Sequence, residues 1–187
     1  MLLLQIFLFS GLVLHKVIWE VLRKRDAQAG HNAASGKLTL VKLVKIAILL
    51  AILVQIWLPD VLPLSPEPFV IRAVGTVLFS IGLITAIAAR IQLGDNWSNI
   101  ETGQVLAGQQ VVNRGIYGYV RHPIYTGDLL LLIGLELALN SWLVVLALAL
   151  CPVVMLKAIQ EERMLLRELA GYVDYHRRTK RFIPFVI

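Results

Sequence analysis

The chain has 187 residues, 58% of them apolar and only 16% charged, with a mean hydropathy of +0.74. A soluble domain of this length has too little interior for that much apolar side chain, so the bilayer is the expected solvent and one membrane domain, residues 1–187, the expected unit. The formal net charge of +6 does not point to nucleic acid, because Lys and Arg cluster beside apolar runs rather than in aromatic-interleaved patches, and the single Cys151 excludes an intramolecular disulfide and a cysteine zinc site.

The first apolar run, residues 2–22, has its basic residues (Arg23, Lys24, Arg25) after it and no small-residue cleavage pattern at its end. It reads as a retained membrane helix rather than a leader. His15 and Lys16 within it read as a snorkelling pair or as packing, with no metal partner at helical spacing, and no metal site is expected anywhere. Runs at 38–58 and 69–93 each match the roughly 20 residues that one crossing needs. A fourth run, from 123 to about 159, is too long for one crossing and too short for two full ones. Asn140 and Ser141 interrupt it and are the best candidate for a turn, which divides it into a short helix at 123–139 and a longer one at 142–170. The expected fold is therefore an all-α integral membrane protein with five transmembrane helices, the last two forming a hairpin.

Loop charge supports that count. Arg23, Lys24, Arg25, Lys37, Lys42 and Lys45 surround the first connection against Asp26 alone, which places it in the cytoplasm, whereas "PDVLPLSPEP" (59–68) carries only Asp60 and Glu67 and belongs outside. The tail with Arg163, Arg167, Arg177, Arg178, Lys180 and Arg181 lies in the cytoplasm only if the chain turns at Asn140. The N-terminus is then outside and the C-terminus inside, in what reads as a prokaryotic plasma membrane. The hairpin returns "EER" (161–163) to the membrane face that holds "RHP" (121–123).

Three polar features at apolar borders are candidates for chemistry. In "GIYGYVRHPIYTG" (115–127), Pro123 suits a first helical turn, and it pushes His122 towards an extended backbone that projects its imidazole above the helix end. Tyr117, Tyr119 and Tyr125 with Arg121 fit an interfacial anchor equally well. Glu161 and Glu162 are the first carboxylates after the last span and read either as a solvated helix face or as a holder for a ribose or a substrate ammonium. Being adjacent, they do not share one helix face. Glu136 is an intramembrane carboxylate and so a functional hypothesis, although one turn from Asn140 it can simply reach the outer interface. Phosphate-loop, HExxH and GxSxG motifs are absent.

Taken together, Arg121, His122, Pro123, Tyr125 and Gly127, a hydrophobic stretch, then Glu161 and Glu162, resemble the RHPxYxG…EE pattern of the isoprenylcysteine carboxyl methyltransferase family, in its compact five-helix form, and of the related phospholipid N-methyltransferases. The resemblance covers about residues 93–187. It implies S-adenosylmethionine-dependent methyl transfer at the cytoplasmic face, with the cofactor between the loop before the fourth helix and the extension of the fifth. Gln104, Val105, Leu106, Tyr117, His122, Tyr125, Gly127, Glu161 and Glu162 would bind it, and Arg121, His122 and Glu162 would be catalytic. The acceptor would be lipophilic and enter from the bilayer: an isoprenylcysteine-like carboxylate first, a phospholipid amine or a small thiol as alternatives. An NADPH-dependent membrane reductase and a non-catalytic membrane protein are the competing classes.

Overall fold

The computed structural model describes residues 1–28, 40–58, 60–96 and 108–184. Its helices are α1 (Leu2–Gln28), α2 (Leu40–Trp57), α3 (Phe69–Leu93), α4 (Pro123–Ala138), α5 (Val144–Glu168) and α6 (Tyr172–Arg178), with 3₁₀ turns at Gly94–Asn96 and Gly115–Gly118. Among the described residues the only extended pairings are two isolated bridges. Three helices, Leu2–Arg25 within α1, α3 and α5, are long and apolar enough to cross a membrane. α4 has 16 residues and is about 24 Å long at about 1.5 Å per residue.

α3 and α4 form the most extensive helix pair. Gly75 and Gly82 on one helix and Gly127 and Gly134 on the other, each seven residues apart, let the backbones touch. A Cβ at Gly82 would fall on the Leu131 amide, and one at Gly134 on the Phe79 amide. Lipid tails are as apolar as leucine, so helices in a bilayer associate through this kind of close small-residue packing. α1 and α2 add Leu8 and Ile56 to the core of Phe79, Leu131, Leu135, Ala138 and Leu139, and Gln5 Nε2 donates to the Ile56 carbonyl at 2.8 Å.

The turn expected at Asn140 is present. Asn140 adopts a left-handed backbone (φ 57°), and its side chain brackets Ser65: Nδ2 donates to the Ser65 carbonyl at 2.9 Å and Oδ1 accepts from the Ser65 amide at 3.1 Å. Leu64 N donates to Asn140 O and Trp142 N to Leu62 O, both at 2.9 Å, so the 62–65 loop closes the hairpin like a clasp. Glu136 is buried close to this clasp and accepts from Gln55 Nε2 at 2.8 Å.

Several boundaries differ from the sequence reading, and two have a visible cause. α1 runs on to Gln28, supported by Glu20 pairing with Arg23 and Lys24 three and four residues on. α5 stops at Glu168 instead of 170. Leu169 is extended and Gly171 left-handed (φ 79°), so the chain folds back and α6 packs Tyr172 and Tyr175 against Leu165.

Candidate functional site

The site is assembled where the segment before α4, the end of α5 and the tail after α6 meet. Gly115, with φ 59°, opens the 3₁₀ turn, and Gln92 Oε1 accepts from the Ile116 amide at 2.9 Å, which ties the turn to α3 and places Tyr117. Pro123 begins α4 as expected, and His122 keeps a non-helical backbone (φ −122°, ψ 54°). Its imidazole stacks on Tyr125 with ring centroids 5.3 Å apart. The tail runs parallel to this segment. Arg121 N donates to Lys180 O at 2.8 Å, His122 N to Arg181 O at 3.1 Å, and Lys180 N to Tyr119 O at 3.0 Å.

Glu162 is the electrostatic hub and is only 2% exposed. Its Oε1 lies 2.8 Å from Arg121 Nε and 3.2 Å from His122 Nε2. Its Oε2 lies 2.7 Å from Arg181 Nη2 and 3.5 Å from His176 Nε2. One buried carboxylate thus holds four cationic or basic side chains from three segments, the arrangement a buried charge needs to offset its desolvation. The hydrogen bond to Glu162 also pushes the Arg181 guanidinium above its ordinary pKa. Arg121 does further work with Nη1, which donates to the carbonyls of Thr179 and, at 3.1 Å, His176. Glu161 turns the other way: its Oε2 accepts from Tyr125 OH at 3.1 Å and lies 3.6 Å from His122 Nδ1.

Between these elements opens a cleft of about 110 Å³, lined by Tyr117, Arg121, His122, Tyr125, Glu161, Tyr172 and Tyr175, with Asn96, Gln109 and Gln110 on the loop side. Tyr175 OH donates to the Tyr117 carbonyl at 2.9 Å. Burial pushes the Tyr175 phenol up to about 12 and lifts Tyr117 and Tyr172 far above the ordinary tyrosine value, so these rings stay neutral at physiological pH. Aromatic faces, one lining carboxylate and several amides suit an amphipathic cation that carries an aromatic base and hydroxyls.

Of the residues singled out by sequence, Tyr117, Arg121, His122, Tyr125 and Glu161 line the cleft, and Glu162 stands behind His122. Gly127 does not line it; its Cα faces Ala86 across the α3–α4 contact, which a Cβ would block. Gln104, Val105 and Leu106 lie outside the described residues. The sequence reading missed Tyr172, Tyr175 and Arg181 as site residues, although the i, i+3 tyrosines beside a glycine were a visible sign of a helix facing an enclosed space. Arg90 is buried at the end of α3, where its Nη1 donates to Gly94 O at 3.2 Å.

Residues 70–170, just over half of the chain, match the family model for phospholipid methyltransferase. The chain belongs to the phospholipid methyltransferase family. The match spans α3 to the turn after α5 and so includes both motif halves, Arg121 to Gly127 and Glu161 with Glu162. The fold is also similar to the solved structure of a eukaryotic intramembrane Ras methyltransferase, isoprenylcysteine carboxyl methyltransferase, at a TM-score of 0.58 and 21% identity over 80% of this chain. This family member spans 55% of the length of that structure. No curated protein matches it by sequence.

Proposed function

We propose that this chain is a multi-pass membrane methyltransferase that uses S-adenosylmethionine and a lipophilic acceptor at the cytoplasmic face. The observation that carries the reading is the cleft that Arg121, His122 and Glu161 line together, with Glu162 behind His122. Tyr117, Tyr125, Tyr172 and Tyr175 would surround the cofactor, Glu161 would take its ribose or ammonium, and His122, braced by Glu162, would form the floor. When bound, S-adenosylmethionine supplies an electrophilic methyl group on a sulfonium. The chain's own part is alignment and exclusion of water, because displacement from a sulfonium leaves a neutral thioether that needs no acid. On this reading all five long helices cross the bilayer, with the N-terminus outside and the C-terminus in the cytoplasm, and the acceptor enters sideways between helices.

For the acceptor, an isoprenylcysteine-like carboxylate would need a cation to position it, and Arg121 is the cleft-lining guanidinium. In the structure the Nε and Nη1 of Arg121 serve Glu162 and the tail carbonyls. That engagement, with the family match, favours a second reading, a phospholipid amine. The deciding experiment is equilibrium binding of S-adenosylmethionine in detergent, followed by labelled methyl transfer to a prenylcysteine analogue, phosphatidylethanolamine and a simple thiol in parallel. Saturable, salt-resistant binding is expected, and its absence overturns the enzyme reading; binding of NADPH instead would indicate the reductase class.

A further inference from the structure

His15 on α1 and Asp128 on α4, 113 residues apart, meet inside the apolar region: His15 Nε2 lies 3.1 Å from Asp128 Oδ1. Asp128 is five residues beyond Pro123, about 7 Å along the helix axis from the mouth of the cleft at about 1.5 Å per residue. It follows Ile124 by four residues and Tyr125 by three, both of which line the cleft, so one helical turn links it to that space. The His15 ring is itself held, stacked on Trp19 at 4.2 Å. Asp128 Oδ2 has no hydrogen-bond partner among the described residues, and the Asp128 side chain is 44% exposed. An ionisable residue within an apolar helix is a functional hypothesis by default, and a snorkelling histidine does not need a partner on another helix.

We propose that the His15–Asp128 dyad is the acceptor-amine site: it binds the ammonium headgroup of a membrane lipid and removes its proton before methyl transfer. The proposal rests on the methyltransferase reading and deepens it. A protonated amine has no lone pair to attack with, and at neutral pH a primary alkylamine is almost wholly protonated, its pKa lying near about 10. Asp128 Oδ2 accepts a hydrogen bond from the ammonium, and the proton passes to the dyad and then to cytoplasmic water. The freed nitrogen lone pair forms the N–CH₃ bond as the C–S bond of the sulfonium breaks, and that electron pair stays on sulfur. The sum is ammonium lipid plus sulfonium donor giving methylammonium lipid, thioether and one proton.

The test uses the full chain in detergent with dihexanoyl-phosphatidylethanolamine and dihexanoyl-phosphatidylglycerol as probes. Wild type is expected to bind the amine lipid more tightly at pH 7. Asp128→Asn should erase that preference, leave S-adenosylmethionine affinity within about twofold, and lower amine methylation by about 10²-fold, the usual range for a lost general base. The variant's rate should recover as the pH approaches about 10, where the amine deprotonates unaided. If Asp128→Asn does not fold, His15→Gln is expected to show the same loss in weaker form. An unchanged lipid preference and rate, or a parallel loss of S-adenosylmethionine affinity, would show that the dyad merely ties α1 to α4 and would overturn the proposal. Wild type that prefers the amine lipid through Asp128 yet binds no S-adenosylmethionine would support the amine site and overturn the methyltransferase reading.

Discussion

At the scale of single residues, Glu162 and Glu161 divide the labour that the sequence left undivided. Glu162 is turned into protein and holds Arg121, His122, His176 and Arg181, while Glu161 lines the cleft beside Tyr125. Glu162→Ala leaves two guanidiniums without their anion, and breaking a buried pair in this way costs about 3–5 kcal/mol. A large drop in thermal stability in detergent is therefore expected, together with loss of S-adenosylmethionine binding. Tyr125→Phe removes only the hydrogen bond to Glu161, a loss of about 1 kcal/mol. Stability should change little and cofactor affinity by no more than about tenfold, as read by titration. The importance of these residues was legible in their types and spacing, but their orientation was not. Adjacent positions on a helix point about 100° apart, and only the placement of α4 and the tail decides which direction is inward.

Among elements, the α3–α4 pair is the frame on which the site is mounted. Its glycines are not loops or hinges; they bring two backbones into contact, and Gly127 belongs to this set rather than to the cleft. Gly82→Leu is expected to push α4 away from α3, lowering the melting temperature and weakening cofactor binding together, since Pro123 and His122 ride on α4. The control is Gly108→Leu, in the loop, where a Cβ meets nothing within 4 Å; its positive φ adds local strain without touching the helix pair. Seven-residue glycine spacing is readable in the sequence, but it does not say which helix is the partner. The end of α5 lies two residues before the expected one for a related reason. A helical hydrophobic stripe continues through Leu165, Leu166 and Leu169, and only the packing of Tyr172 and Tyr175 back onto Leu165 shows that Gly171 turns the chain.

For the molecule as a whole, the C-terminal tail closes the structure. It pairs with 119–122, carries Arg181 to Glu162, and delivers a carbonyl to Thr126. Deleting residues 179–187 should leave the helices in the membrane, as judged by extraction and circular dichroism, yet abolish S-adenosylmethionine binding, because the Arg121 and Glu162 partners go with it. A reporter fused to the C-terminus is expected to be cytoplasmic, and an external reporter would overturn the orientation read from loop charge. The sequence by itself determined the membrane setting, the hairpin at Asn140 and the meeting of RHP with EE, because hydropathy, loop charge and turn chemistry are properties of local composition. Only the tertiary structure decided that Glu162 faces inward, that Gly127 packs helices, that the tail is part of the site and that His15 meets Asp128. Each of these depends on which distant surfaces touch, and that is settled by the packing of the whole chain.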